Sequence, residues 1–324
     1  MGAAAAPEMS VVLVTHDDVR SLRKTLQHLA AQEGAERLEL VLVGPSRAAL
    51  TPEPALLAGF GRVKLVEVGA ITRAPAARAA GVRHARAPIV TLLEDHSFPR
   101  PGWARALIAA HRGPWAAVGP AVDNANAGGV VSWANHLIGY GDWLPPIHAG
   151  EVEHLPGHNS AYKRAALLAH AGADLDEMLA AESVLHWALR ARGERLYLEP
   201  AAVTDHLNPS TWRATLAIAF FAGRQFGAAR ARGWPAHWRL LYAAAAPLIP
   251  AVRLRRIART AGARRGALGP RLLGVLVVVL AADAAGQLVG YLCGSGDVER
   301  RLLPYEVHRE RLLNARDRAA IATG

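Results

Sequence analysis

The chain has 324 residues, 52% hydrophobic and 20% charged, with a net charge of +10. That length suits one large domain or a domain with an appendage, and the apolar content excludes a disordered chain. One cysteine, Cys293, excludes a disulfide framework or a cysteine-based zinc module. The charge is uneven: residues 253–324 hold 13 Arg and 6 acids, net +7, leaving +3 for residues 1–252. This is not the pattern of a uniformly basic nucleic-acid binder, and no nucleic-acid partner is expected.

Residues 1–9 lack the basic and apolar regions of a signal peptide and read as a disordered lead-in. Val11–Thr15 is a short β-branched apolar run, which predicts a strand. Val19, Leu22, Leu26 and Leu29 recur at helical spacing after it, with Asp17 or Asp18 as the N-cap. Leu38–Val43, Val63–Val68 and Ile89–Leu93 read as further strands, and Ala76–Ala85 as a small-residue helix after Pro75. Near-continuous apolar strands separated by helices predict an α/β fold, a mostly parallel sheet covered by helices on both faces. Ligands of such sheets sit beyond the carboxyl ends of the strands. Those ends are Thr15-His16-Asp17, Gly44-Pro45-Ser46 and Glu94-Asp95-His96. No glycine-rich dinucleotide fingerprint follows the first strand, and there is no P-loop lysine. Acids and histidines at a strand end instead suit a divalent cation facing a phosphorylated ligand.

In the same order and spacing, several segments resemble glycosyltransferase family 2, whose fold is GT-A. Ser10 to Leu22 resembles the family's opening, with Thr15, His16 and Asp17 at the turn under the nucleotide. Ala77 to Gly81 resembles its Ala-Arg-Asn-x-Gly, whose arginine, here Arg78, helps to hold the nucleotide-sugar. Leu93 to Trp103 stands at its Asp-x-Asp motif, which implies donor contacts for Glu94 and Asp95 and a metal-ligand role for His96. Gly157 to Arg164 resembles the acceptor-side segment and carries His158 and Asn159. Leu175 to Leu189 resembles the segment with the catalytic base, here Glu182. Pro200 to His206 resembles the closing strand, with His206 as a second metal ligand.

The chain departs from the family pattern in three places. The aspartate after the second strand that reads the uracil edge is Gly44, the Asp-x-Asp pair is Glu94 and His96, and the acid after the base is Ser183. Glu94 still suits ribose or a metal-bound water, and His96 suits Mn²⁺, whereas oxygen ligands suit Mg²⁺ better. Each residue also has an ordinary structural reading. Glu94-Asp95-His96 would serve as a polar loop before a helix, and Asp17 as an N-cap. Arg78 would be a surface arginine, Glu182 and His186 a solvated pair on one helix face, and His206 a satisfied histidine at a strand end. Asn159 would start a helix. Trp103, Trp133 and Trp143 read as core or rim aromatics, the last two with the option of stacking on a sugar.

The C-terminal third is different material. Thr211–Arg232 has an amphipathic pattern, and Leu240–Val252 is an apolar run broken by Pro247 and Pro250. Leu272–Cys293 is 22 residues, about 33 Å as a helix and long enough to cross a bilayer. Asp283 near its middle would cost about 2.5–3.5 kcal/mol on insertion. Ala282, Gly286, Gly290 and Gly294 form a small-residue stripe that invites close packing with another helix. A buried helix of a soluble domain is the ordinary reading. Arginines flank the run on both sides, which a single span does not satisfy under the positive-inside rule. A monotopic hairpin or a pair of interfacial helices on an anionic membrane surface satisfies it.

The expected organisation is thus 1–9 disordered, 10–210 catalytic, 211–299 membrane-associated and 300–324 a basic tail. The expected function is transfer of a sugar from a nucleotide-sugar to a lipid, lipid-linked or polysaccharide acceptor. It would proceed with inversion, with Mn²⁺ or Mg²⁺, at the cytoplasmic face of the membrane, in bacterial cell-envelope glycan biosynthesis. A non-catalytic binding or scaffold subunit of a surface-glycan assembly is the alternative.

Overall fold

The computed structural model describes residues 6–51, 53–169, 174–260, 269–306 and 308–322. It divides into two units: residues 1–123 with 145–205, and residues 124–144 with 206–324. The second unit thus takes in 124–144, a segment that the sequence reading placed inside the catalytic domain.

Among the described residues, the first unit is built on nine strands: β1 (Met9–Val14), β2 (Leu38–Gly44), β3 (Arg62–Glu67), β4 (Ile89–Leu92), β5 (Ser97–Pro99), β6 (Trp115–Asn124), β7 (Gly150–Val152), β8 (Ala161–Lys163) and β9 (Arg195–His206). β1 starts at Met9, whose side chain is fully buried, and the amide of Glu8 already donates to the carbonyl of Arg37, so order begins before residue 10. Residues 1–5 lie outside the described residues. The strands run β3-β2-β1-β4-β8-β6-β9-β5 across one sheet, with β7 alongside β9.

The expected mostly parallel sheet is corrected to a mixed one. β3, β2, β1 and β4 are parallel. β8 runs antiparallel to both β4 and β6, and β7 antiparallel to β9. Parallel neighbours need a long crossover. The helices Arg23–Ala30 and Ala74–His84 form two of these crossovers, and their periodicity was readable. β8 has only three residues and enters from a short turn, so it carries no pattern of its own.

Helices cover both faces of the parallel half. Met9, Val11 and Leu13 of β1 and Leu38, Leu40 and Leu42 of β2 join one core with Leu22, Leu26, Leu29 and Trp103. Alternation sends Val12 and Val43 to the other face. There Gly81 lets the Ala74–His84 helix approach: a Cβ at that position would lie 2.4 Å from Val12 and 3.0 Å from Val43. Asp18, not Asp17, caps the first helical turn, accepting from the amide of Arg20 at 2.8 Å.

The second unit is helical. The helix Pro270–Cys293 packs on Trp212–Arg230 through glycines on both sides. A Cβ on Gly223 or Gly227 would lie 2.3 or 2.6 Å from the carbonyl oxygens of Asp283 and Gln287. A Cβ on Gly286 or Gly290 would lie 2.0 or 2.3 Å from those of Phe220 and Arg224. The expected small-residue stripe therefore has its partner, and the two backbones meet without intervening side chains. Asp283 is neutralised within this unit: Arg253 donates to its Oδ2 at 3.0 Å and Gln287 at 2.9 Å. Residues 309–322 are not a loose tail. The amides of Ser210 and Thr211 donate to the carbonyl of Leu312, and Asn126 donates to the buried Asp317.

Overpacking an occupied contact costs about 1–3 kcal/mol. Gly286→Ala is therefore expected to lower the melting temperature clearly, while Gly274→Ala, whose Cβ would meet nothing within 4 Å, leaves it unchanged or raised. Thermal denaturation followed by circular dichroism checks the pair.

Candidate functional site

The parallel registers pair Val14 with Val43 and Val12 with Leu92, so β1, β2 and β4 end along one edge of the sheet. Thr15, Gly44 and Glu94 therefore emerge there together, as strand topology predicts. At the first of these ends the polar groups build a turn. Thr15 is buried, its amide donates to the carbonyl of Val43, and its hydroxyl donates to the carbonyl of Asp18 at 2.5 Å. Asp17 is exposed and accepts from the amide of Asp18 at 2.8 Å, and His16 is half-buried beside it. At Gly44 a Cβ would lie 2.7 Å from Leu50 and 3.2 Å from Thr15. Leu50 fills the volume that an acidic side chain would need, which explains the missing aspartate in packing terms.

At the end of β4, three side chains are ordered by one another. Nδ1 of His96 lies 2.5 Å from Oδ1 of Asp95, and Nε2 of His96 lies 3.6 Å from Oε1 of Glu94. The Asp95 carboxylate beside Nδ1 turns Nε2 toward Glu94, the arrangement that orients histidine ligands of metals. The carbonyl of Asp95 accepts from the Thr25 hydroxyl at 2.7 Å, which ties this turn to the Arg23–Ala30 helix. The donor set, an oriented imidazole facing a carboxylate, fits a divalent cation.

The turn before β8 comes to the same place. Asn159 is fully buried, and its Nδ2 donates to Oε2 of Glu94 at 3.0 Å. Nδ1 of His158 lies 3.6 Å from Oε1 of Glu94, and its Nε2 is in contact with Oε1 of Glu182. Arg78, on the Ala74–His84 helix, brings Nη1 to 2.7 Å from Nε2 of His158. The site thus joins Arg78, Glu94, His158, Asn159 and Glu182, which come from four separate stretches of sequence. Arg73, just before the same helix, and Arg83 on it pair instead with Glu177 and Asp176.

The charges settle one another. Burial and the neighbouring Arg78 push the His158 imidazole down, but the carboxylates of Glu182 and Glu94 outweigh them and hold it at about 9. Burial alone would raise Glu182; His158 and Arg78 overcome this and keep its carboxyl below its ordinary value. Glu182 also stands in the first turn of the helix Glu182–Ala191, where the helix dipole favours an anion.

The expected solvated pair of Glu182 and His186 is corrected. His186 is buried, burial lowers its pKa to about 4, and its Nε2 lies 3.0 Å from the Tyr162 hydroxyl oxygen. Glu182 pairs with His158 instead. Trp103 is core, and Trp133 donates its indole N–H to the carbonyl of Ala127 at 2.9 Å within the second unit. Trp143, in the same unit, meets Tyr140 edge-on. His206 is the last residue of β9 and the first of its part of the second unit; there its Nδ1 lies 3.0 Å from Oδ1 of Asn208 and its ring 4.4 Å from that of Tyr140. Sequence reasoning missed Gly157, on which the Glu182 side chain rests. A glycine directly before the His-Asn pair was the available signal.

Residues 10–169, just under half of the chain, match the family model described as Glycosyl transferase family 2. Among solved structures, the mannosyltransferase PcManGT from Pyrobaculum calidifontis, in complex with GDP-Man and Mn²⁺, is similar to 90% of this chain over 88% of its own. The identity is 17% and the TM-score 0.53. This likeness shows the fold, which is GT-A-like. GalNAc-T7 with UDP, GalNAc and Mn²⁺ is 15% identical with a TM-score of 0.44; the match covers 61% of this chain and 43% of that one. TarS 1–349 of S. aureus is 12% identical with a TM-score of 0.44, and the match covers 70% and 66%. No curated protein sequence matches the chain.

The His158 pKa of about 9 lies above its ordinary 6.5, so its pairing stabilises the fold fully below about 6.5 and is lost as pH rises through about 9. The melting temperature of the native chain is expected to fall between pH 7 and pH 10, and His158→Gln to flatten that fall. Calorimetry across the range checks this.

Proposed function

We propose that this chain is an inverting glycosyltransferase that moves a sugar from a nucleoside-diphosphate sugar to a lipid, lipid-linked or polysaccharide acceptor at the cytoplasmic face of a membrane. The observation that carries the reading is an ionised, sheltered Glu182 held in one cluster with Glu94 beside a family 2 domain. In an inverting transfer the acceptor hydroxyl attacks the anomeric carbon as the bond from that carbon to the phosphate oxygen breaks. Glu182 takes the hydroxyl proton. Glu94 would contact the donor ribose. His96 would hold a divalent cation through Nε2, which would supply positive charge against the departing diphosphate. GDP-Man and Mn²⁺ in the PcManGT structure support a nucleotide-sugar donor and that cofactor.

The membrane part of the reading rests on the second unit. Pro270–Cys293 is long and apolar enough to cross a membrane by length and composition, and half of its apolar window is buried. Leu240, Leu241 and Val252 are exposed along the helices Ala236–Ala245 and Ile249–Thr260, as is Leu248 in the turn between them, and Arg255, Arg256 and Arg259 follow. Leu273, Val277, Val278 and Leu292 are exposed along the long helix. Arg239 donates to the carbonyl of Tyr291 and Arg253 to Asp283, so these helices run antiparallel. Apolar faces bounded by arginines suit an in-plane hairpin on an anionic leaflet.

Two measurements test the proposal. A ligand that binds only the folded state raises the melting temperature. UDP-glucose, UDP-galactose and GDP-mannose are therefore screened with and without Mn²⁺, and the selected donor is assayed for transfer to membrane lipid extract. Glu182→Gln is expected to abolish transfer while donor binding persists; transfer at the native rate places the base elsewhere. In flotation with vesicles, the native chain is expected to bind phosphatidylglycerol-containing membranes, and Leu240→Ser/Leu248→Ser/Val252→Ser to release it.

A further inference from the structure

We propose that the short turn Gly157–Asn159 is the positioning element of the site: it sets Glu182, the base of the reading above on which this inference rests, at a fixed place against Glu94. Each of its three residues has a separate task. Gly157 supplies space. A Cβ there would lie 2.7 Å from Cβ, 2.8 Å from Cγ and 2.8 Å from Cδ of Glu182, so the side chain lies directly over the glycine. Gly157 is not among the glycines with positive φ, so what glycine provides here is the absent side chain rather than an unusual backbone. His158 supplies charge. Its two ring nitrogens face two carboxylates, Nε2 toward Glu182 and Nδ1 toward Glu94. Asn159 supplies a neutral donor to the other oxygen of Glu94 at 3.0 Å.

The turn is itself fixed. The amide of Asn159 donates to the carbonyl of Pro156, and that of Ser160 to Gly157. The Ser160 hydroxyl also donates to Pro156 at 2.6 Å. A rigid three-residue turn therefore spans two carboxylates from distant parts of the chain. The carboxylates would repel one another without the imidazolium between them. In this geometry Gly157 and His158 act through Glu182, and Asn159 acts through Glu94. None of the three needs to touch the reacting atoms.

The test uses the full chain and the donor selected above. General bases contribute about 10²–10⁴-fold, so Gly157→Ala, which pushes Glu182 aside, is expected to lower kcat about 100-fold with donor KM within about twofold. On a Glu182→Gln background it is expected to add less than about threefold, because both changes remove the same group. Asn159→Ala is expected to raise donor KM about tenfold with kcat within about threefold. Circular dichroism confirms folding of each variant. Gly157→Ser, which adds a similar bulk, is the second variant, and it is expected to repeat the loss.

A nuclear magnetic resonance readout stands apart from turnover. In ¹⁵N-histidine-labelled protein, His158 is expected to remain doubly protonated at pH 8, and to lose that signature in Gly157→Ala and in Glu182→Gln. The positioning proposal is overturned by a Gly157→Ala variant that keeps kcat within about threefold, or by losses that multiply on the Glu182→Gln background. If the native chain turns over no donor, or Glu182→Gln remains active, the catalytic reading fails instead. The histidine signature then decides the positioning: an unchanged His158 in Gly157→Ala overturns it, and its loss upholds it.

Discussion

The site depends on one strand pairing. β8 lies antiparallel to β4, with Thr91 opposite Ala161 and Val90 opposite Tyr162. In an antiparallel pair the residues before one strand lie beyond the end of the other. Gly157, His158 and Asn159 therefore arrive where β4 delivers Glu94, Asp95 and His96. The amide of Leu92 donates to the carbonyl of Ser160 and carries the pairing to the last residue of β4. Had β8 run parallel to β4, the His-Asn pair would lie at the opposite edge of the sheet, away from every acidic strand end.

Electrostatics then hold what the topology brings together. Breaking a buried ion pair by removing one partner costs about 3–5 kcal/mol, because the remaining charge is stranded. Glu182 is sheltered from water and is tolerated as an anion only beside His158 and Arg78. The same logic appears twice more. Glu39, fully buried in β2, takes the Ser10 hydroxyl at 2.5 Å, the Arg86 amide at 2.6 Å and the Arg62 side chain at 3.0 Å. Asp283 takes Arg253 and Gln287 in the helical unit. Each buried acid has partners from distant sequence, so these networks fix particular arrangements rather than merely adding stability. His186 follows the opposite rule: it has no charged partner strong enough to offset burial and stays neutral with Tyr162.

The helical unit shows how composition alone misleads about a long apolar helix. An aspartate inside 24 residues of apolar helix signals a large insertion cost when read singly. Within the fold, that cost is met by Arg253, and the glycines that a membrane span would also use are spent on Trp212–Arg230. What stays exposed are apolar side chains along Ala236–Ala245, Ile249–Thr260 and the long helix antiparallel to them.

The sequence by itself determined the parallel strands, the helices between them and the polar strand ends, because these elements are long and periodic and hydrophobic burial reads local pattern directly. It also named Arg78, Glu94, His158, Asn159 and Glu182 one at a time. Only the tertiary structure decided their company: that Glu182 pairs with His158 rather than His186, that Gly157 makes room for Glu182, and that 124–144 belongs to the helical unit. The physical reason is separation along the chain. β8 is too short to carry a period, and a partner 65 to 80 residues away leaves no local trace in either neighbourhood until the sheet brings the two together.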